Sequence, residues 1–260
     1  MPSFFARKLI NRVRRRLWSS PLSSMPSPLR AQATRDKNIA AEIGDYERAF
    51  GFAHSAGSMP LRTLLRIERL LTGSEIFSAE TGCGKSTIFL SRIAERHKVF
   101  CFDDRGQKAS SVDYFMNCPA TRPDRLDLVF GPTQLTLPRH EDHYRYDLVL
   151  IDGPHGFPFP ELEYYYFYPH LKTDGLLVID DIHIPTISRL ADFLSEDHMF
   201  EKLEFIGSTA IFRRTDAPVF DPLGDGWWLQ AFNRRRASFL KDIYLEDGKK
   251  RAPISFEGIY

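Results

Sequence analysis

Two glycines of this sequence, Gly82 and Gly84, stand between a short apolar run and the start of a helical pattern. Glycine lets the backbone pass close to a bound ligand, and the helix that follows turns its N-terminus toward the ligand's anionic end. A dinucleotide or adenosine site also needs a carboxylate about 20 residues further on, at the end of the next strand. Asp103 follows VFCF at that distance, and Asp104 is the second candidate. The spacing therefore predicts a bound adenosine whose ribose is held by an acid.

The same segment supports a second interpretation, because residues 79–86 read AETGCGKS. Gly84, Lys85 and Ser86 fill the end of the P-loop pattern, in which the lysine contacts phosphates, but Ala79 replaces its first glycine. The later run LVLID, which ends at Asp152, resembles the strand that ends in a magnesium-holding Asp in such proteins. The alternative function is therefore a P-loop nucleotide-binding NTPase or kinase, although such a protein needs no acid at position 103.

These residues need strands that end at a common edge, and the surrounding sequence alternates between strand and helix patterns. The run 75–102 predicts one βαβ unit with parallel strands, and continuous apolar runs predict further buried strands. The predicted strands are 75–81, 98–102, 126–130, 146–152, 175–181, 201–207 and 208–214, and the predicted helices are 38–50, 61–71, 86–96, 161–171 and 186–195. This order predicts an α/β fold with a Rossmann-like, doubly wound, seven-stranded sheet, mostly parallel with a terminal antiparallel hairpin.

Composition is that of an ordinary soluble protein and excludes several classes. The net charge of +1 gives no general attraction to nucleic acid, so no nucleic-acid partner is expected. The sequence contains no run of about 18 apolar residues, so no membrane-spanning helix is predicted. The three cysteines are odd in number and widely spaced, which predicts a reducing, cytoplasmic compartment rather than a disulfide framework or a zinc knuckle.

The two ends differ from the middle of the chain. Residues 1–35 contain eight Arg and Lys and no acid, and apolar residues recur every fourth position over 5–17. A solvated leader, a transit peptide and a peripheral membrane contact through residues 1–18 all fit this pattern. The predicted organisation is a basic leader and linker over 1–37, one Rossmann-like domain with N-terminal helices over 38–216, and a C-terminal extension of unknown role over 217–260.

The order and spacing of these segments resemble the class I S-adenosylmethionine-dependent methyltransferases over about residues 60–214. ETGCGKST at 80–87 resembles their first motif, E-x-G-x-G-x-S-T, and YDLVLIDGPH at 146–155 resembles the motif D-x-x-x-I-D-G-x-H. LKTDGLLVIDD at 171–181 resembles the fifth-strand signature, with Thr173-Asp174-Gly175 in place of the usual Pro-Gly-Gly turn. The most similar subgroup is the small-molecule O-methyltransferases of the macrocin type, with catechol O-methyltransferase more distant.

The resemblance implies S-adenosylmethionine as cofactor and assigns the binding residues. The glycine turn should bind the methionine part, Asp103 the ribose, and the turn at 131–133 the adenine side. The full predicted cofactor-binding set is Glu80, Thr81, Gly82, Cys83, Gly84, Ser86, Asp103, Asp104, Gly131, Thr133 and Asp152.

The resemblance also implies where a metal and a base would lie. In these families, acids after the fourth and fifth strands can hold Mg²⁺ beside the acceptor hydroxyl, and Asp152, Asp180 and Asp181 occupy those positions; whether a metal binds is left open. His155 and His183 are the candidates for general base, since imidazole titrates near working pH. Asp152, His155 and His183 form the predicted catalytic set.

The sequence thus predicts methyl transfer from S-adenosylmethionine, to a hydroxyl of a small molecule or glycan. A non-catalytic domain of the same fold is the third interpretation, because fold does not guarantee activity. The identity of the acceptor and the oligomeric state are left open, since acceptor pockets are built from variable loops.

Overall fold

The computed structural model describes residues 39–49, 58–141, 145–220 and 230–236. The chain divides into two compact units, residues 1–51 and 52–260. The described part of the first unit is helix α1, residues 39–49. The predicted leader over 1–37, with its membrane contact, lies outside the described residues, and the predicted extension over 217–260 is described only at 217–220 and 230–236, so both assignments stay predictions.

The second unit alternates strands and helices as the sequence patterns predict. Its strands are β1 (Phe77–Thr81), β2 (Arg96–Cys101), β3 (Leu126–Phe130), β4 (Tyr146–Ile151), β5 (Leu171–Ile179), β6 (Phe200–Ile206) and β7 (Thr209–Arg214). Its described helices are α2 (Leu61–Leu70), α3 (Lys85–Ile93), α4 (Ser111–Met116), α5 (Thr133–Thr136), α6 (Phe159–Phe167), α7 (Pro185–Glu196) and α8 (Ala231–Arg236). The three short helices α4, α5 and α8 were not predicted.

The strands form one sheet in the order β3-β2-β1-β4-β5-β7-β6. β1 to β5 pair in parallel, and β7 pairs antiparallel with both β5 and β6. The predicted fold class, a doubly wound sheet that ends in an antiparallel hairpin, is confirmed.

Several boundaries differ from the predicted ones: α3 ends at Ile93 instead of residue 96, and β2 begins at Arg96 instead of residue 98. Two further differences have clear local reasons. Helix α6 ends at Phe167 instead of residue 171, and a 3₁₀ turn, Tyr168–His170, follows it; Pro169 has no N–H with which to continue the helix. Strand β5 begins at Leu171, so the predicted turn at 172–175 lies within the strand, where the register against β4 shifts. A Cβ atom at Gly175 would lie 2.8 Å from the carbonyl oxygen of Lys172, which explains the glycine.

The central strands are buried on both faces and supply most of the core. Val149, Leu177 and Phe100 are fully buried, and each such side chain contributes about 1.5–3 kcal/mol relative to exposure. Helices α2, α3 and α4 form one packed group, and α5, α6 and α7 form another. The aromatic run of α6 belongs to this core, since Phe167 packs edge-on against Phe100 at 5.7 Å.

None of the helices among the described residues is both long and apolar enough to cross a bilayer.

Candidate functional site

The carboxyl ends of the parallel strands lie at one edge of the sheet. Thr81 pairs with Phe100 on one side and with Ile151 on the other, and Ile151 pairs with Ile179, so the strands end almost level. A loop therefore leaves each strand at the same edge, which is where ligands bind in open α/β sheets. The structure brings together here the residues that follow the five strands, Gly82, Asp103, Gly131, Asp152 and Asp180.

The glycine turn crosses directly over the loop that follows β4. Gly82 has φ +80°, and a Cβ atom there would lie 2.2 Å from the carbonyl oxygen of Asp152. The Gly82 N–H donates to the Phe100 carbonyl oxygen at 2.9 Å, which fixes the turn to β2. Helix α3 starts at Lys85, so its N-terminus faces the crevice between β1 and β4. Both the left-handed conformation and the lack of space require glycine at position 82.

The predicted ligand Glu80 lies inside the sheet. Its side chain is fully buried, and its Oε1 accepts a hydrogen bond from the Thr87 hydroxyl and lies 3.1 Å from His97 Nε2. The other ring nitrogen, His97 Nδ1, is 2.8 Å from the Ser78 hydroxyl oxygen. These contacts hold the start of α3 against β1 and β2, which supports the turn from below.

The two acids after β2 have different surroundings, and only one faces solvent. Asp103 has a side chain that is 39% exposed, and both of its oxygens accept hydrogen bonds from the Arg105 guanidinium, Oδ1 from Nε at 2.7 Å and Oδ2 from Nη2 at 2.5 Å. The pKa of Asp103 is lowered, chiefly by these hydrogen bonds, so the carboxylate is charged at neutral pH. A charged, accessible carboxylate at this place suits a ribose diol.

Asp104 instead caps helix α4. Its carboxylate accepts hydrogen bonds from the Ser110 hydroxyl at 2.6 Å and from the backbone N–H groups of Ser111 and Val112 at 2.7 and 3.0 Å. Burial opposes the charge, but these hydrogen bonds lower the pKa of Asp104. The carboxylate oxygens are committed to the first turn of α4, which is the usual task of an N-terminal capping acid.

The third wall of the crevice follows β3. Gly131 has φ +135°, and its N–H donates to the Cys101 carbonyl oxygen at 2.9 Å. Helix α5 begins at Thr133, which is buried. Phe102 and Phe130 are 60% and 37% exposed, which leaves apolar rings at the ends of β2 and β3 for a flat ring system.

Two further predicted cofactor residues, Cys83 and Ser86, belong to the turn and to the first turn of α3. The Cys83 thiol hydrogen-bonds with Cys101, and that bond together with burial raises the pKa of Cys83, so it stays a neutral thiol. Ser86 is buried. Both contribute backbone rather than reactive side chains to the crevice.

A cluster of three side chains lies where the loops after β4 and β5 meet. Asp152, His155 and Asp181 each offer a donor atom, and these atoms lie within 4.8 Å of one another. His155 Nε2 is 3.3 Å from Asp181 Oδ2, and the histidine side chain is 40% exposed. Two carboxylates and an imidazole form a donor set that fits a divalent cation.

The side chains of the two predicted metal residues Asp180 and Asp181 have different surroundings. Asp180 is buried, and its Oδ1 accepts a hydrogen bond from the Thr209 hydroxyl of β7 at 2.6 Å. Asp181 has φ +55°, an uncommon conformation for a residue with a side chain, and it turns toward the cluster. His183 Nδ1 lies 3.6 Å from Asp181 Oδ1, with a side chain that is 65% exposed. Asp181 therefore lies between the two candidate bases.

Carboxyl groups are concentrated at the floor of this crevice. Burial, followed by the nearby carboxylates Asp180, Glu80, Asp181 and Glu163, raises the pKa of Asp152 well above its ordinary value. A triphosphate would add further negative charge at the same place. The turn 82–84 is also only three residues long between β1 and α3. Both features disfavour the P-loop alternative.

Sequence reasoning missed Glu163, which lies in α6 and is fully buried beneath the crevice. The five residues that follow it, 164–168, are all aromatic, so the pattern predicted only a helix packed on the sheet. The available signal was an acid within a helix predicted to pack on the sheet. Because a carboxylate is rarely fully buried without a partner, its presence there indicates a specific contact.

In a comparison of the sequence with family models, residues 79–182 match the family described as "Methyltransferase domain". No curated protein matches the sequence. The matched span runs from the end of β1 to just beyond Asp181, so it contains the glycine turn, Asp103 and the three-residue cluster.

Solved structures of methyltransferases have the same fold. The O-methyltransferase TomG from Streptomyces achromogenes, in complex with SAM, is 14% identical over 68% of this chain and 89% of that one, with a TM-score of 0.51. An O-methyltransferase from Bacillus cereus in complex with SAH is 13% identical over 69% and 91%, with a TM-score of 0.52. A methyltransferase from Geobacter sulfurreducens is 12% identical over 69% and 89%, with a TM-score of 0.50. At these identities the likeness establishes the fold, and the class I methyltransferase resemblance predicted from the motifs is confirmed.

Proposed function

We propose that the protein transfers a methyl group from S-adenosylmethionine to a hydroxyl group of a small molecule or glycan, because residues 79–182 match a methyltransferase family model and the sheet has the class I methyltransferase fold. The observation that carries this proposal is the pairing of the glycine turn at 82–84 with a charged, accessible Asp103 at the end of the neighbouring strand. That pair suits an adenosine whose ribose hydroxyls donate to a carboxylate.

The cofactor lies across three loops in this proposal. Its methionine part contacts the turn at 82–84 and the N-terminus of α3, where a carboxylate is favoured by the unpaired N–H groups. Its ribose donates to Asp103. Its adenine lies beside Gly131 and the exposed ring of Phe130. The sulfonium then faces the acid-rich loops after β4 and β5, whose negative charge favours a cation.

The acceptor side of the crevice is the cluster of Asp152, His155 and Asp181. The acceptor oxygen attacks the methyl carbon in line with the carbon–sulfur bond, which breaks as the new carbon–oxygen bond forms. His155 takes the hydroxyl proton, and Asp181 at 3.3 Å stabilises the imidazolium that results. The exposed ring of Phe157, two residues beyond His155, offers an apolar surface to the acceptor.

The same cluster would hold Mg²⁺ through the oxygens of Asp152 and Asp181, with His155 as a further donor. A cation bound there would supply positive charge that lowers the pKa of an acceptor hydroxyl. Removal of divalent ions with EDTA, followed by return of Mg²⁺, distinguishes a metal-free site with His155 as the base from a site that holds Mg²⁺. Activity that persists in EDTA assigns proton transfer to His155 without a metal.

Calorimetric titration with S-adenosylhomocysteine, S-adenosylmethionine and ATP–Mg tests the proposal. We expect the first two to bind and ATP to fail. Asp103→Asn should weaken S-adenosylhomocysteine binding by ~10-fold or more, because a hydrogen bond to a charged group contributes about 1.5–3 kcal/mol. Asp124→Asn is the matched control, because Asp124 precedes β3 and so lies at the opposite edge of the sheet. Binding of ATP alone would refute the proposal.

A further inference from the structure

Glu163 is a fully buried acid that the proposed chemistry does not use. It lies in the middle of α6, which packs on β4 and on α5 and α7. Its carboxyl group reaches the underside of the crevice, below both the glycine turn and the loop after β4. A buried carboxyl group costs free energy unless its oxygens are hydrogen-bonded, so its contacts there need an explanation.

One oxygen of this carboxyl group links β1 to β4. Glu163 Oε2 accepts a hydrogen bond from the Thr81 hydroxyl at 2.7 Å. The Thr81 hydroxyl oxygen in turn accepts from the backbone N–H of Asp152 at 3.1 Å. Thr81 is the last residue before Gly82, so this chain of hydrogen bonds runs from α6 to both loops that cross at Gly82 and Asp152.

The carboxyl group also fills the space under the loop after β4. A Cβ atom at Gly153 would lie 2.4 Å from Glu163 Oε1 and 2.7 Å from Oε2, so only glycine allows the backbone to lie on the carboxyl group. Gly153 directly follows Asp152, which places this contact under the cluster on the acceptor side.

The second oxygen faces the third loop. Glu163 Oε1 and the Thr133 hydroxyl oxygen are both buried, and neither has a hydrogen-bond partner elsewhere among the described residues. The Thr133 side chain hydrogen-bonds with this carboxyl group, an interaction that lowers the pKa of Glu163. A hydrogen bond between the Thr133 hydroxyl and Glu163 Oε1 satisfies both atoms at once. Burial raises the pKa of Glu163 to about 7, which agrees with a carboxyl group that keeps its proton.

We propose that Glu163 is the positioning residue of the cofactor crevice, and that its carboxyl group holds the turn after β1, the loop after β4 and the start of α5 in their binding arrangement. Glu163 touches neither cofactor nor acceptor and acts through Thr81, Gly153 and Thr133. This inference rests on the proposed function where it concerns S-adenosylhomocysteine, but the arrangement of the loops is a property of the protein without ligand.

Three variants separate positioning from a general contribution to stability. Glu163→Gln keeps one acceptor for Thr81 and supplies an N–H donor for Thr133, so it replaces the protonated carboxyl group. Glu163→Ala removes both contacts. Asp192→Ala, an exposed acid of α7, is the control.

Hydrogen exchange of the ligand-free full chain is the first measurement. In Glu163→Ala we expect the backbone amides of residues 82 and 152 to exchange ~10-fold faster or more, because their loops open locally, while amides in β2 and β5 stay protected. Glu163→Gln and Asp192→Ala should match the wild type. Unchanged exchange at both loops in Glu163→Ala, or acceleration spread evenly over the sheet, overturns the inference.

Calorimetry with S-adenosylhomocysteine is the second measurement. We expect Glu163→Ala to raise the Kd for S-adenosylhomocysteine by ~10-fold or more. Glu163→Gln should have the wild-type Kd. A Gln variant as weak as the Ala variant overturns the inference. Failure of the wild type to bind S-adenosylhomocysteine refutes the proposed function alone, because the exchange measurement still decides whether Glu163 positions the loops.

Discussion

Replacement of Glu163 by glutamine should make the protein more stable at alkaline pH than the wild type. Burial raises the pKa of this carboxyl group from 4.5 to about 7 in the folded protein, against the opposing effect of the hydrogen bonds from Thr81 and Thr133. The proton therefore binds more tightly to the folded state than to the unfolded state. Its stabilising contribution is complete below pH about 4.5 and is lost as the pH rises through about 7.

The size of the effect follows from the two pKa values. Each pKa unit of difference corresponds to about 1.4 kcal/mol, so the wild type should lose about 2–3 kcal/mol between pH 5 and pH 8 through this group. Glutamine has no proton to lose. The free energy of unfolding of Glu163→Gln, taken relative to the wild type, should therefore rise by about that amount across the same interval.

Urea-induced unfolding, followed by circular dichroism at pH 5, 6, 7 and 8, measures this difference. Asp192→Asn, a change of an exposed acid, should give a curve parallel to that of the wild type. Because the charge on Glu163 also raises the pKa of Asp152, the comparison is repeated in an Asp152→Asn background to remove that coupling. A difference between Glu163→Gln and the wild type that stays constant from pH 5 to pH 8 would refute the reasoning, because it would mean that Glu163 has the same pKa folded and unfolded.

The remaining predictions concern three other residues. Gly82→Ala should lower the free energy of unfolding by about 2 kcal/mol or more and abolish S-adenosylhomocysteine binding in calorimetry, because the new Cβ would meet the Asp152 carbonyl oxygen at 2.2 Å in a left-handed conformation. Asp104→Ala should cost about 1–2 kcal/mol in urea unfolding through loss of the α4 cap, yet change the Kd for S-adenosylhomocysteine less than Asp103→Asn does. His155→Gln should lower kcat for a hydroxyl acceptor by ~100-fold with an unchanged Kd for S-adenosylhomocysteine, and an unchanged kcat would exclude His155 as the base.

The fold could be predicted from the sequence because its strands are continuous apolar runs separated by turn residues. Strand β3 has the predicted bounds, and the strand order follows from the crossover rule and the closing hairpin. The predictions failed where local chemistry overrides periodicity: Pro169 ends α6 early, and Gly175 lets β5 continue through an apparent turn. The short helix α4 has too few residues for a period, although Ser110 and Asp104 are its caps.

The sequence predicts at which edge of the sheet a candidate site residue lies, but not where its side chain points. Residues after parallel strands must share an edge, so the sequence brings Asp103, Asp152 and Asp181 together. It does not say which of two adjacent acids faces the ligand. Three-dimensional packing decides that Asp104 caps α4 and that Asp180 turns inward to Thr209. Glu163 could not be placed at all, because its contacts come from three separate segments, the end of β1, the loop after β4 and the start of α5.

The crowding of carboxyl groups in the crevice connects its structure to the choice of ligand. Several ionised acids within a few ångströms repel one another strongly where water is scarce. Three changes relieve this repulsion: a proton on Asp152 or Glu163, a divalent cation in the cluster, or a cationic ligand. The pKa values of Asp152 and Glu163 indicate that the free protein uses the first. A sulfonium cofactor supplies positive charge at the same place, whereas a nucleoside triphosphate would add to the repulsion. The electrostatics of the crevice therefore favour S-adenosylmethionine for the same reason that they disfavour ATP.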